Sequence, residues 1–329
     1  MGDFSAGTHE VPLDEAVERL QAQFSWNYTN VSGCTIAIID FLQTFPDEVR
    51  LMWSARLSIP KVLFYLARYF TLLNNIMVVL LAPGVSRSSN EGCIGALCGA
   101  AVLSPLAVSS AEAILFYRVW AFSGKSRRML AYLVIQFIGI HSLVLYTVVK
   151  WLISVKYTRW SLPSANGPIC IMTEANPFLL LWTYAAVLSS VIGAMVIMVF
   201  IAYREHRGLN SRLLTVFYQD GIYYFIVLAI MASANVAVNW LAYGEYKLIL
   251  VQFEVDLHGI LSTRMLLHLR QVGTEFDAVS ITRIARIDPS EVSEPRRRFP
   301  RYPRILSPLR FRERTTGISK DIVADIEAV

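Results

Sequence analysis

Residues 177–203 read PFLLLWTYAAVLSSVIGAMVIMVFIAY, a run without one charged side chain, and the chain turns polar at Arg204. An α-helix needs about 20 apolar residues to cross roughly 30 Å of hydrocarbon, so this run is long enough for one span. Four more runs share its character, at 60–82, 94–120, 130–155 and 221–243, each followed by a polar turn or a basic cluster. A sixth, 248–269, has the length of a span but carries Glu254, Asp256 and His258, which predicts a helix with its charges turned to the bundle interior. The shortest is 31–45, where Asp40 interrupts the apolar sequence. Seven spans make the expected fold an all-α, polytopic membrane protein with a seven-transmembrane-helix bundle.

Composition agrees. Of 329 residues, 55% are hydrophobic and only 17% charged, which excludes an ordinary pair of soluble domains. The net charge of +5 is uneven: residues 1–27 hold five acids against Arg19, whereas the end beyond Arg264 is strongly basic. The start lacks the basic-then-apolar pattern of a secretory signal, so the first span is expected to direct insertion itself. Three segments follow: 1–30 as an extracellular amino-terminal segment, 31–270 as the transmembrane domain, and 271–329 as a cytoplasmic, arginine-rich and largely disordered tail.

Loop charge predicts the orientation, because the cytoplasmic side of a membrane protein is the one richer in Lys and Arg. Arg50, Arg56 and Lys61, then Arg118, Lys125, Arg127 and Arg128, then Arg204, Arg207 and Arg212 fall on one side together with the tail. The other side has Arg19, Arg87, Lys150, Lys156, Arg159 and Lys247. The amino terminus is therefore expected outside and the carboxyl terminus in the cytoplasm, with the plasma membrane as the expected location. The sequons at Asn27 and Asn30 precede the first span on the outer side, where N-glycosylation occurs. Cys93 and Cys170 are expected on the same side, where a disulfide persists; a bridge between them would pin the long outer loop over the bundle mouth. Four unpaired thiols, with Cys34 and Cys98 inside helices, are the alternative.

The segment from Asp40-Phe41-Leu42 through Thr44, Glu48-Val49 and Trp53 to Lys61 and Arg68-Tyr69 resembles the signature of a large family of integral membrane proteins from mushroom-forming fungi, a domain of unknown function. The signature region spans about 36–75. Resemblance continues through Arg118-Val119-Trp120-Ala121-Phe122-Ser123-Gly124-Lys125, through Gln219-Asp220-Gly221, and through Leu261-Ser262-Thr263-Arg264 to Arg270. Trp120, Phe122 and Ser123 depart conservatively from the family pattern. The resemblance implies seven helices and brings no ligand or activity.

Charges inside a span are costly unless paired or hydrated, so they mark where function is to be sought. Glu254 and His258 are four residues apart and share a helix face, which suits a polar ligand site in the outer half or, equally, a hydrogen-bonded lock between helices. Asp256 points away from Glu254 by about 200° of helical rotation. Glu112 is expected in the inner half, and Asp40 and Arg68, on adjacent helices, are expected to form a structural ion pair. The ligand-binding candidates are thus Glu254, His258, Asp256 and Glu112.

Catalysis has no support. The last span has no lysine for a retinal Schiff base, only His141 and His258 lie in spans, and no phosphate loop, nucleophile elbow or Cys-X-X-Cys occurs. No catalytic residue, metal or cofactor is expected. Tyr117-Arg118-Val119 shares only its arginine with the acidic-Arg-Tyr triplet of rhodopsin-like receptors. The expected partners are the lipid bilayer, a small ligand of unknown identity and, through Arg296–Arg298 and the arginines beyond, anionic inner-leaflet lipid rather than nucleic acid. A receptor-like sensing or binding role is the leading expectation, with a transporter or channel, or a membrane scaffold, as alternatives.

Overall fold

The structure, a computed structural model, describes residues 13–81, 90–161, 168–206, 212–242 and 244–285. Among them are seven α-helices: α1 (Leu13–Glu48), α2 (Ile59–Leu80), α3 (Asn90–Phe122), α4 (Arg127–Ser154), α5 (Pro177–His206), α6 (Arg212–Leu241) and α7 (Val251–Ala285). Five are long and apolar enough to cross a membrane: α2, α4, and the stretches 95–122, 177–204 and 221–241 of α3, α5 and α6. They mark the protein as integral to a membrane. Their outward faces present large apolar side chains, such as Ile135, Tyr146 and Ile153 on α4, to the surroundings that lipid supplies.

α7 packs against α1, α2, α3 and α6, which explains its polarity. A helix wrapped by partners needs no lipid-facing apolar surface, so it keeps Gln252, Glu254, Asp256, His258, Ser262 and Thr263 buried. α1 is amphipathic in the opposite sense. It shows Val31, Ile38, Ile39 and Leu42 outward while burying Ala37 and Asp40.

Connections alternate between two ends. The tail end carries the α1–α2, α3–α4 and α5–α6 connections; the hairpin end carries the α4–α5 connection, where β1 (Lys156–Ser161) pairs antiparallel with β2 (Pro168–Glu174). This hairpin is an addition to the all-α expectation. At the tail end, α3 turns tightly into α4 through Gly124 and Lys125, both at positive φ (70° and 56°), a geometry that glycine adopts without strain.

Two boundaries differ from expectation. α1 begins at Leu13 and passes through Pro46 to Glu48, where a π turn (Val49–Trp53) follows, whereas the sequence suggests a span of 31–45. Proline removes one N–H and crowds the preceding turn, and the widened turn that follows brings Trp53 Nε1 back to Glu48 Oε1 at 3.3 Å. α7 runs on to Ala285, past the expected domain edge at 270.

Candidate ligand cavity

The core is divided. In the tail half, Phe64, Leu115, Val119, Met198, Phe225, Leu228 and Met265 belong to one continuous apolar cluster. In the hairpin half the apolar clusters are smaller, one around Val144, Ala186 and Val187, another around Trp151, Leu180 and Tyr184. Between them lies a cavity of about 120 Å³, walled by α3, α4, α5 and the start of α7.

Most of the wall is apolar, and its polar side chains include two carboxylates, Glu112 and Glu254. α6 positions Glu254: Asn235 Nδ2 donates to Glu254 Oε2 at 2.5 Å and to the Leu250 carbonyl at 3.2 Å. Asn239, one turn on, donates to the Asn235 and Lys247 carbonyls and so ties α6 to the turn before α7. Glu254 Oε1 has no hydrogen-bond partner, although the side chain is only 3% exposed. Ser190 on α5 donates to Glu112 Oε2 at 2.5 Å, and His141 Nε2 on α4 lies 3.8 Å from that oxygen. His141 Nδ1 faces the Phe137 carbonyl at 2.9 Å. Across the wall, Thr147 and Thr183 join α4 to α5 at 2.7 Å. Trp151 and Tyr184 add aromatic surface, and Trp151 Nε1 is buried without a partner.

The four ligand candidates separate. Glu254 and Glu112 share the cavity: Glu112 lies past the middle of the α3 span, on its inner side, and its carboxylate, beside Ser190 and His141, reaches the cavity wall. His258 is not brought to the Glu254 carboxylate. Its Nδ1 sits 2.9 Å from the Glu254 backbone carbonyl, and its ring is fully buried outside the cavity wall. Asp256 faces α1 and α2. There Asn75 Nδ2 donates to Asp256 Oδ1 at 2.7 Å and Gln252 Nε2 to the same oxygen at 3.0 Å, while Asn74 donates to Gln252 Oε1 at 2.9 Å and accepts from Ser104. Gly33 makes this approach possible, since a Cβ there would stand 2.7 Å from Asp256 Oδ2.

Asp40 and Arg68 do not pair with each other. Arg68 Nε meets Glu48 Oε2 at 2.7 Å, and its other nitrogens donate to Thr44 Oγ1 (2.8 Å) and the Phe41 carbonyl (3.0 Å). The guanidinium thus stops one helical turn short of Asp40, with the Phe41 ring 4.6 Å from Cζ. Asp40 instead accepts from Arg264 Nε on α7, and Arg264 also donates to Gln43.

Residues 28–73 match the family of unknown function DUF6533. The matched stretch holds Asp40, Glu48 and Arg68, and none of the cavity wall comes from it. The match covers the second half of α1 and most of α2, and it brings no activity. No curated protein matches the chain.

Cys93 and Cys170 lie in α3 and β2, and their side chains fall outside the described residues; Cys34 and Cys98 are free thiols. Asn27 is half-buried and Asn30 buried on α1. The arginine-rich segment from 286 onward lies outside the described residues. Among the described residues, no three side chains of His, Cys, Asp or Glu gather as metal ligands would.

His141, Tyr184, Trp151, Ser190 and Asn235 also belong to the site and are not among the four ligand candidates expected from the sequence. His141 carries a usable signal as an ionisable side chain in the otherwise apolar middle of α4, and Asn235 and Asn239 are a pair one turn apart in an apolar helix. Ser190 and Tyr184 are ordinary span residues with no such signal.

Proposed function

We propose that the protein is a non-enzymatic, seven-span surface protein that binds a small ligand at the hairpin end and so has a receptor-like role. The hairpin end faces outside and the arginine-rich tail lies in the cytoplasm, where it meets anionic lipid. The plasma membrane is its location. α1 and α7 complete the seven spans, since α1 presents an apolar face outward and α7 is shielded by its neighbours. A Cys93–Cys170 disulfide and a glycan at Asn27 belong to the same outward face.

One observation carries the reading: a cavity in the hairpin half, whose wall holds Glu254 with one carboxyl oxygen left without a partner, stands over a continuous apolar core in the tail half. A transporter needs polar groups reaching from one end to the other. Here a chain of hydrogen bonds runs from the cavity-wall Ser104 through Asn74 and Gln252 to Asp256, whereas Asp40 is bound to Arg264 in a cluster of its own.

The test is thiol labelling of Ser109→Cys, a cavity-wall position, in a Cys34→Ala/Cys98→Ala background. A membrane-impermeant cationic methanethiosulfonate is applied from each side in turn. Ligand binding at the outer mouth predicts labelling from outside alone. Labelling from both sides means transport, and labelling from neither means a scaffold.

A further inference from the structure

We propose that the ligand of this cavity is a small organic cation, an ammonium group on an apolar body of about six non-hydrogen atoms; this rests on the ligand-binding reading above. Size comes from volume. An engineered apolar cavity of about 150 Å³ holds benzene, and the one here is about 120 Å³.

Charge comes from the wall. Glu254 and Glu112 line the space, and among the described residues no lysine or arginine lines it with them. Glu254 is 3% exposed, and Asn235 satisfies Oε2 but leaves Oε1 without a partner. A buried carboxylate oxygen with no donor is costly, and an ammonium N–H supplies the missing charge-assisted hydrogen bond. The tail half shows the contrasting solution, where the buried carboxylate of Glu48 has its cation, Arg68, built in. Among the described residues of the cavity wall, the one basic side chain, His141, stands beside Glu112 and not Glu254, so the ligand brings the cation for Glu254. Trp151 and Tyr184 offer ring surface that favours a cation, and Val144, Val148 and Val187 fit the apolar body.

Thermal unfolding of the full chain in lipid nanodiscs, buffered at neutral pH, with piperidine or tetrahydropyran tests this. The two rings have the same shape, and only piperidine is an ammonium at that pH. The expected result is stabilisation by piperidine at concentrations at least about tenfold below those tetrahydropyran needs, the scale of a hydrogen bond to a charged group. Glu254→Gln, which keeps an acceptor for Asn235, is expected to erase that preference. Val187→Phe fills the cavity without touching a charge and is expected to abolish stabilisation by both rings.

Equal stabilisation of the wild type by both rings would overturn the cation while leaving the ligand-binding reading in place. Stabilisation by neither would overturn both. A piperidine preference that survives Val187→Phe would place the cation elsewhere and also overturn the proposal.

Discussion

The two halves of the bundle handle buried charge in opposite ways. In the tail half, Arg68 meets Glu48, Arg264 meets Asp40, and Arg270 Nη1 donates to the Leu51 carbonyl at 2.8 Å, all at the edge of a continuous apolar core. In the hairpin half, Glu254, Glu112 and Asp256 are held by amide and hydroxyl donors from Asn235, Ser190, Asn75 and Gln252. An ion pair locks two helices and leaves nothing for a ligand. A carboxyl held only by neutral donors has no built-in cation, and its burial carries a cost in stability that a bound cationic partner can offset.

Breaking the tail-half pair should have the largest effect. Glu48→Ala leaves Arg68 buried without its carboxylate and is expected to cost about 3–5 kcal/mol, read as loss of folded protein on thermal unfolding in detergent. The double variant Glu48→Leu/Arg68→Leu should recover much of that loss, because no uncompensated charge remains. Next is the apolar core beneath the cavity. Leu228→Ala is expected to cost about 2–5 kcal/mol, since Leu228 is fully buried in close packing.

Hairpin-half polar groups should matter less to stability. Asn75→Ala removes one donor from Asp256 and leaves Gln252 in place, and interhelix hydrogen bonds of this kind average about 0.6 kcal/mol in membrane proteins. A drop as large as that of Glu48→Ala would erase the distinction between the halves. Smallest in energy, but decisive for orientation, is the glycan. Glycosidase should shift the mobility of the wild type and leave Asn27→Gln unshifted. A residual shift in Asn27→Gln would assign a glycan to Asn30, which is buried on α1, and would require α1 to pack differently.

The comparison also explains which parts of the fold the sequence reveals. Helices with a lipid-facing side, such as α4 and α5, must be largely apolar where they meet hydrocarbon, and hydropathy reads them directly. α7 escapes that rule because other helices surround it, so its charges look like an interruption when read along the chain. Adjacent helices bring Asp40 and Arg68 near each other. Partner choice then depends on height along the helix, and the π turn after Glu48 sets that height without a hydropathy signal.

For the cavity, the sequence points correctly to Glu254 as an interior charge on α7 but not to the company it keeps. Periodicity places His258 on the same face, yet a histidine one turn away reaches the backbone carbonyl rather than the carboxylate. Ser190 and Asn235 come from other helices, and their approach to Glu112 and Glu254 is fixed by tertiary packing that no local pattern encodes.

The asymmetry between the halves is tested most directly by overpacking each with the same substitution. Val187→Phe adds a ring at the cavity wall, and Val119→Phe adds it to the continuous core of the tail half. Thermal unfolding in nanodiscs should show Val187→Phe at or above the wild-type midpoint, because the ring fills existing space. Val119→Phe should fall by the equivalent of about 1–3 kcal/mol, the cost of forcing volume into a close-packed core. Equal destabilisation by the two substitutions would contradict the asymmetry, since it would mean that the hairpin half has no room for a ligand.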